Sequence, residues 1–257
     1  MAYKTLGIDV SKHNGVIDWV KVKASGKVQF AILRSGFGKA LPSQKDPQFE
    51  KNYSECKKVG IPVGVYHYSY ALTTADAEAE ADFVIDILKG KQFEYPIYFD
   101  IEEKSQAALS KETCTAIVKA FCTRLEKAGY WAGFYSYDAF YATDIVPGTA
   151  ERYANWVASI EFRKPVSCTN YEMWQYSWKG TIPGINSNVD LNECYIDYPT
   201  LIKNAGKNGF QPSSAPTIKA PKYYEVTFTP KTKGEAESIQ AWVLEHAKYN
   251  ASIKEVY

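Results

Sequence analysis

The sequence predicts an α/β fold, a TIM-like (β/α) barrel with an irregular final third. Three observations support this. Eight short apolar runs are spread over the first two hundred residues. Several are apolar throughout rather than alternating, as parallel strands buried on both faces require. Amphipathic stretches with helix start and stop signals lie between the first five, the βαβ rhythm of a parallel sheet. At 257 residues the chain is long enough for one barrel-sized domain and a small addition.

The expected strands are Leu6–Val10, Phe30–Ser35, Pro62–Tyr70, Pro96–Ile101, Ala132–Ser136, Trp156–Ser159, Met173–Tyr176 and Val189–Leu191. The first clear helix is Asp46–Val59, where Asp46 reads as an N-cap followed by Pro47 at the first helical position. The second, Thr74–Leu88, is alanine-rich and ends before Gly90. The third spans Ser110–Ala128, opening Ser-Lys-Glu-Thr and stopping at Gly129. After the last strand, Leu191–Tyr195 has a helix-like pattern. Residues 204–222 are rich in Pro, Ser, Asn and Gly and read as a linker closing a barrel domain of residues 1–203. Residues 223–257 then read as a β-α-β module, with strands Tyr223–Phe228 and Ser252–Tyr257 around a helix Gly234–Tyr249. At about 35 residues it is smaller than domains that usually fold unaided, so docking on the barrel or dimerisation is expected.

Composition removes several function classes. A net charge of +1 leaves no basic stripe for nucleic acid. No apolar run is long enough to span a membrane, and the N-terminus enters a strand without the apolar stretch of a signal peptide. The five cysteines are scattered with no CxxC pair, and there are only three histidines. Neither a metal centre nor a disulfide framework is expected, and no cofactor is called for. Twenty Tyr and six Trp are an excess that suits either a core or a sugar-stacking groove; on count alone the core reading leads.

Charged residues gather at the expected C-terminal strand ends, where barrel enzymes build their sites. Asp9 ends the first strand, Arg34 the second, Asp100 and Glu102 the fourth, and Asp190 lies at the last. Asp100 and Glu102 stand at i and i+2 on a strand, so they share a face with Cα atoms about 6.5 Å apart. Carboxyls that close raise one another's proton affinity, leaving one protonated near neutrality. Glycoside cleavage uses such an acid to protonate the departing oxygen, with a carboxylate nearby to stabilise positive charge. Glu102 has the longer reach and is the expected acid. The bland reading is a strand-end Asp-x-Glu that caps the next helix. Asp9 equally could organise the turn that follows, Asp190 cap Leu191–Tyr195, and Arg34 serve as a structural ion-pair partner. His67 reads as a hydrogen-bonded inner residue rather than a base. Trp156, Trp174 and Tyr135 read as core or as rim platforms for sugar rings.

An ordered set of segments carries a more specific signal. Gly7-Ile8-Asp9-Val10-Ser11 is followed by His13-Asn14-Gly15 and Asp18-Trp19, then Phe30-Ala31-Ile32-Leu33-Arg34. Asp46, Phe49, Asn52 and Gly60 lead to Gly64-Val65-Tyr66-His67-Tyr68. Pro96 to Glu102, Gly133-Phe134-Tyr135-Ser136, Trp174-Gln175-Tyr176 and Asn188-Val189-Asp190-Leu191-Asn192 complete it. Over residues 4–200 this set resembles the family 25 glycoside hydrolases, lysozymes that cut N-acetylmuramic acid from N-acetylglucosamine in peptidoglycan.

The resemblance implies a flattened barrel of five βα units with a strand-rich end, and cleavage with retention. It assigns the general acid to Glu102, supporting carboxylates to Asp9, Asp100 and Asp190, and the groove to Arg34, Tyr66, Tyr135, Trp156 and Gln175. Two routes stay open for the nucleophile: Asp100 itself, or a substrate N-acetyl group oriented by Asp100, which is favoured. Where many relatives show Trp-x-Ala-x-Tyr, this chain has Trp156-Val157-Ala158-Ser159-Ile160, so one subsite contact is expected to be missing. The partner implied is the peptidoglycan glycan strand, with the segment after residue 203 binding the wall or forming a homodimer. Without a visible signal peptide, an endolysin released from the host cytoplasm at lysis is favoured over a secreted autolysin. A non-catalytic wall-binding protein on the same fold is the alternative. A metal-dependent wall amidase or deacetylase is disfavoured by the scarcity of histidine.

Overall fold

In the computed structural model, residues 3–38, 41–149, 152–161 and 163–212 are described. Eight strands close into a barrel in chain order. They are β1 (Thr5–Val10), β2 (Phe30–Phe37), β3 (Val63–Tyr68), β4 (Ile97–Asp100), β5 (Ala132–Tyr137), β6 (Ala154–Ala158), β7 (Met173–Gly180) and β8 (Val189–Cys194). Outside run α1 (Trp19–Ala24), α2 (Phe49–Val59), α3 (Thr74–Leu88), α4 (Lys104–Ala107), α5 (Lys111–Lys127), α6 (Asp138–Thr143) and α7 (Tyr198–Asn204). Neighbours from β1 through β7 are parallel, while β8 pairs antiparallel with both β7 and β1. The β7–β8 connection is too short for a crossover helix, so β8 returns antiparallel.

The capping signals hold where a side chain does the capping. The Thr73 side chain accepts from Asp76 N ahead of α3, and Ser110 from Thr113 N ahead of α5. Two expectations need correction. Leu191–Tyr195 is not helical: Leu191 to Cys194 belongs to β8, whose pairing with two strands overrides local preference. Asp46 is not the cap of α2, which starts at Phe49 after Gln48. Its buried carboxylate instead accepts from Lys12 N and Gln48 N and pairs with Arg34 Nε at 2.8 Å.

Strand alternation builds two apolar layers. Outward residues such as Ile8, Leu33, Val65, Phe99 and Phe134 pack under the helices. Inward residues Phe30, Ile32, Tyr98, Tyr135, Trp156 and Met173 fill the barrel, joined by Tyr95, Tyr198 and Ile202. Two inward glycines make room for these rings. A Cβ on Gly7 would lie 2.3 Å from the Phe30 ring, and one on Gly133 2.7 Å from the Tyr98 ring.

Residues 204–212, expected as the start of the linker, are anchored to the barrel by Asn208. Its side chain donates to Phe93 O and Tyr95 O and accepts from Trp131 N. The rest of the expected linker and the 223–257 module lie outside the described residues. The chain divides into two compact units at Ser213/Ser214. The five cysteines are buried free thiols. Among the described residues no helix is long and apolar enough to cross a membrane, and no group of three or more His, Cys, Asp or Glu is placed to hold a metal.

Candidate active site

A cavity of about 410 Å³ opens at the C-terminal end of the parallel strands. All nine residues that the resemblance assigns to the site line it. Asp9 comes from β1, Arg34 from β2, Tyr66 from β3, Asp100 from β4 with Glu102 just beyond, Tyr135 from β5, Trp156 from β6, Gln175 from β7 and Asp190 from β8. Parallel strands present inward residues near their C-terminal ends to this cavity. Antiparallel β8 delivers its first, so Asp190 stands in register with Asp9.

One hydrogen-bonded chain runs across the floor. Tyr135 OH donates to Gln175 Oε1 at 2.9 Å, and Gln175 Nε2 donates to Asp9 Oδ2 at 3.0 Å. Asn192 Nδ2 donates to the same oxygen at 2.8 Å, while Trp156 Nε1 donates to Asn192 Oδ1 at 2.8 Å. Two polar atoms in the site are buried without a hydrogen-bond partner: Arg34 Nη2 and Asp100 Oδ1.

Four carboxyls around one cavity cannot all ionise freely. Burial, then repulsion from Glu102 and Asp9, holds Asp100 well above the usual carboxylate range, with Arg34 opposing. Burial, then Asp9 and Glu103, pushes Glu102 up to about 7. Burial and the neighbouring Asp9 push Asp190 up to about 9. Burial raises Asp9 too, opposed by the amide donors Asn192 and Gln175. Burial therefore leads in each case, ahead of the mutual repulsion of Asp100 and Glu102 that their spacing suggests. Glu102 remains partly exposed at the cavity. Such a group can hold a proton near neutrality and deliver it to a ligand.

The family model for glycosyl hydrolases family 25 matches residues 8–185. The chain belongs to glycosyl hydrolase family 25. Within that family setting it is 30% identical over 197 residues to the uncharacterised protein YegX of Escherichia coli O157:H7, covering 74% of this chain and 70% of YegX. The bacterial lysozyme of Streptomyces coelicolor superposes with a TM-score of 0.68 at 26% identity, over 78% of this chain and 96% of that one. The modular autolysin LytC of Streptococcus pneumoniae, solved with a synthetic peptidoglycan ligand, gives 0.64 at 29% identity over 75% of this chain. This chain covers 47%, about half, of that autolysin. The family 25 match ends before β8, so Asp190 and Asn192 enter the site on geometry.

Sequence reasoning missed Asn192 as a site residue, although it stands two residues from Asp190 and so on the same strand face. The helix-like reading of Leu191–Tyr195 hid that relation. It also gave no role to Tyr68, which lines the cavity and donates to Glu103 Oε1 at 2.7 Å. Arg34 fills both roles weighed for it, lining the cavity and pairing with Asp46. His67 faces away from the cavity, bonded to Ser35 Oγ and Gly38 O. Burial lowers it to about 4, so it is neutral near pH 7. Trp174 is not among the cavity-lining residues, and its indole donates to Ser159 O. Ile160, at the departure from the family pattern, packs against the barrel's inner aromatic cluster.

Proposed function

We propose that this family 25 barrel cleaves the β-1,4 bond between N-acetylmuramic acid and N-acetylglucosamine in peptidoglycan with retention, Glu102 serving as acid and then as base. The observation that carries this reading is a partly exposed carboxyl, raised to about 7, at the mouth of a cavity holding three other carboxyls. The synthetic peptidoglycan bound by the LytC autolysin supports the substrate class.

In this mechanism Glu102 gives its proton to the glycosidic oxygen as the bond to the anomeric carbon breaks. Asp100 Oδ1, which has no protein partner, accepts the N–H of the substrate acetamido group. That bond turns the acetyl oxygen toward the anomeric carbon, which it attacks to form an oxazolinium ring. Glu102, now a carboxylate, removes a proton from water, and the water opens the ring from the face the leaving group vacated. Two inversions give net retention. Asp9 and Asp190 border the reacting sugar, with Asp9 supplying negative charge as positive charge develops. Arg34, Tyr66, Tyr135, Trp156 and Gln175 would hold the sugars.

A non-catalytic wall-binding protein is the competing reading. Four carboxyls around one cavity, Asp9 and Asp100 buried among them, oppose it, because binding alone does not require them and their repulsion is destabilising. We read residues 223–257 as an accessory module for wall attachment or self-association. The deciding experiment follows the turbidity of purified cell walls with wild type and Glu102→Gln. Wild type should clear the suspension and release new reducing ends while the variant does not. Clearing by Glu102→Gln at the wild-type rate would remove Glu102 from the mechanism, and new amines would point to an amidase.

A further inference from the structure

Asn192 is fully buried and lies outside the cavity lining, so its place in the network is not explained by contact with substrate. Its amide joins Trp156 to Asp9, and chemistry fixes which way round it sits. An indole N–H can only donate. The Trp156 Nε1–H is 2.8 Å from one end of the amide, so that end is the carbonyl oxygen. The NH₂ therefore faces Asp9, 2.8 Å from Oδ2. Gln175 Nε2 reaches the same oxygen at 3.0 Å. An Oδ2 that accepts two N–H bonds is poorly suited to carry a proton itself.

Asp190 is the register partner of Asp9 on β8, and both line the same cavity. Two carboxyls so placed do not both ionise freely, so the pair tends to hold one proton. We infer that Asn192 is a positioning residue: locked by Trp156, it keeps Asp9 the ionised member of an Asp9–Asp190 pair and leaves the shared proton on Asp190. For the reaction, which rests on the function proposed above, the fixed charge on Asp9 then helps Glu102 retain its proton. The other groups facing Asp9 are Asp100 and Glu102 at the end of β4, Arg34 on β2, Tyr66 on β3 and Tyr135 on β5.

The test is a carboxyl ¹³C titration of aspartate-labelled protein, with signals assigned through Asp9→Asn and Asp190→Asn. It compares wild type with Asn192→Leu, which keeps the bulk and removes the donor. The Asp9 midpoint should rise by roughly one pH unit and that of Asp190 should fall. Asn192→Leu should also narrow the pH–rate profile from both sides. Its acid limb moves up with Asp9, and its alkaline limb moves down as Glu102 loses a charged neighbour. A packing role alone would lower stability and leave both midpoints in place, and that result would overturn the inference. If circular dichroism shows Asn192→Leu unfolded, Trp156→Phe decides. It keeps Asn192 but frees the amide to turn, so the same directions are expected, and an unmoved Asp9 midpoint overturns the inference. A wild type that leaves walls intact would sink the proposed function, yet the titration would still decide the role of Asn192.

Discussion

Glu102 is the residue on which the proposed chemistry turns, and its environment makes its charge costly. Burial, Asp9 and Glu103 raise it to about 7, so the donor form is present at neutral pH and disappears above it. Activity on cell walls should therefore fall as pH rises through about 7. A rate still climbing at pH 9 would contradict Glu102 as acid. The same environment has a stability signature. A carboxyl whose folded pKa is raised is easiest to accommodate at low pH and loses that advantage as pH climbs through the folded value. Glu102→Gln should thus melt above wild type at pH 8, by on the order of 2 kcal/mol after allowance for partial exposure, and match it near pH 4. Thermal unfolding of both proteins at the two pH values checks the sign. Asp100→Asn should cut turnover about a hundredfold or more while wall binding in a pull-down persists. Unchanged turnover would remove Asp100 from the mechanism.

At the level of elements, the first seven strands were legible because each is a short apolar run between turn or helix signals. The strand ends carry the site, so placing the strands also placed Asp9, Arg34, Asp100 and Glu102. β8 was only half legible. Its first four residues alternate apolar and polar, Val189-Asp190-Leu191-Asn192, because one face meets the polar cavity and its floor. The alternation marks Val189–Leu191 as strand, but Asn192-Glu193 breaks it, so the pairing to β1 and β7 is needed to carry the strand on, and Asn192 was lost with that end. Asp46 misled for a related reason. Asp-Pro is a sound helix-start signal, but a buried guanidinium competes for the same carboxylate and wins. The Trp156–Asn192–Asp9–Gln175 chain joins four strands and has no sequence signature at all. The inward glycines also belong to this scale. Gly7→Ala would push a methyl into the buried Phe30 ring and should destabilise the barrel by about 1–3 kcal/mol, lowering the melting temperature by several degrees. An unchanged melting temperature would mean that the Phe30 ring has somewhere else to go.

Over the whole molecule, the barrel unit extends further than composition suggested. Gly, Asn and Pro after residue 203 read as linker, yet Asn208 bonds to the segments leading into β4 and β5, and its backbone joins Phe93 N and Gly129 O. Asparagine tolerates the left-handed backbone found there, at φ 54. A chain ending at Pro212 should keep the melting temperature of the intact protein's barrel, whereas one ending at residue 203 should lose roughly 2 kcal/mol or more with those bonds. Equal melting of both truncations would return residues 204–212 to the linker. Removing 213–257 should lower wall affinity or convert a dimer to a monomer in solution. If it does neither, both roles proposed for the module fail.

Which bond is cut, and by which residue, is read most directly by mass spectrometry of the products from defined peptidoglycan incubated with wild type and with Glu102→Gln. Wild type should release fragments ending in a reducing N-acetylmuramic acid, and the variant should leave the glycan intact. Reducing N-acetylglucosamine ends, or the same fragments from Glu102→Gln, would contradict the proposed function.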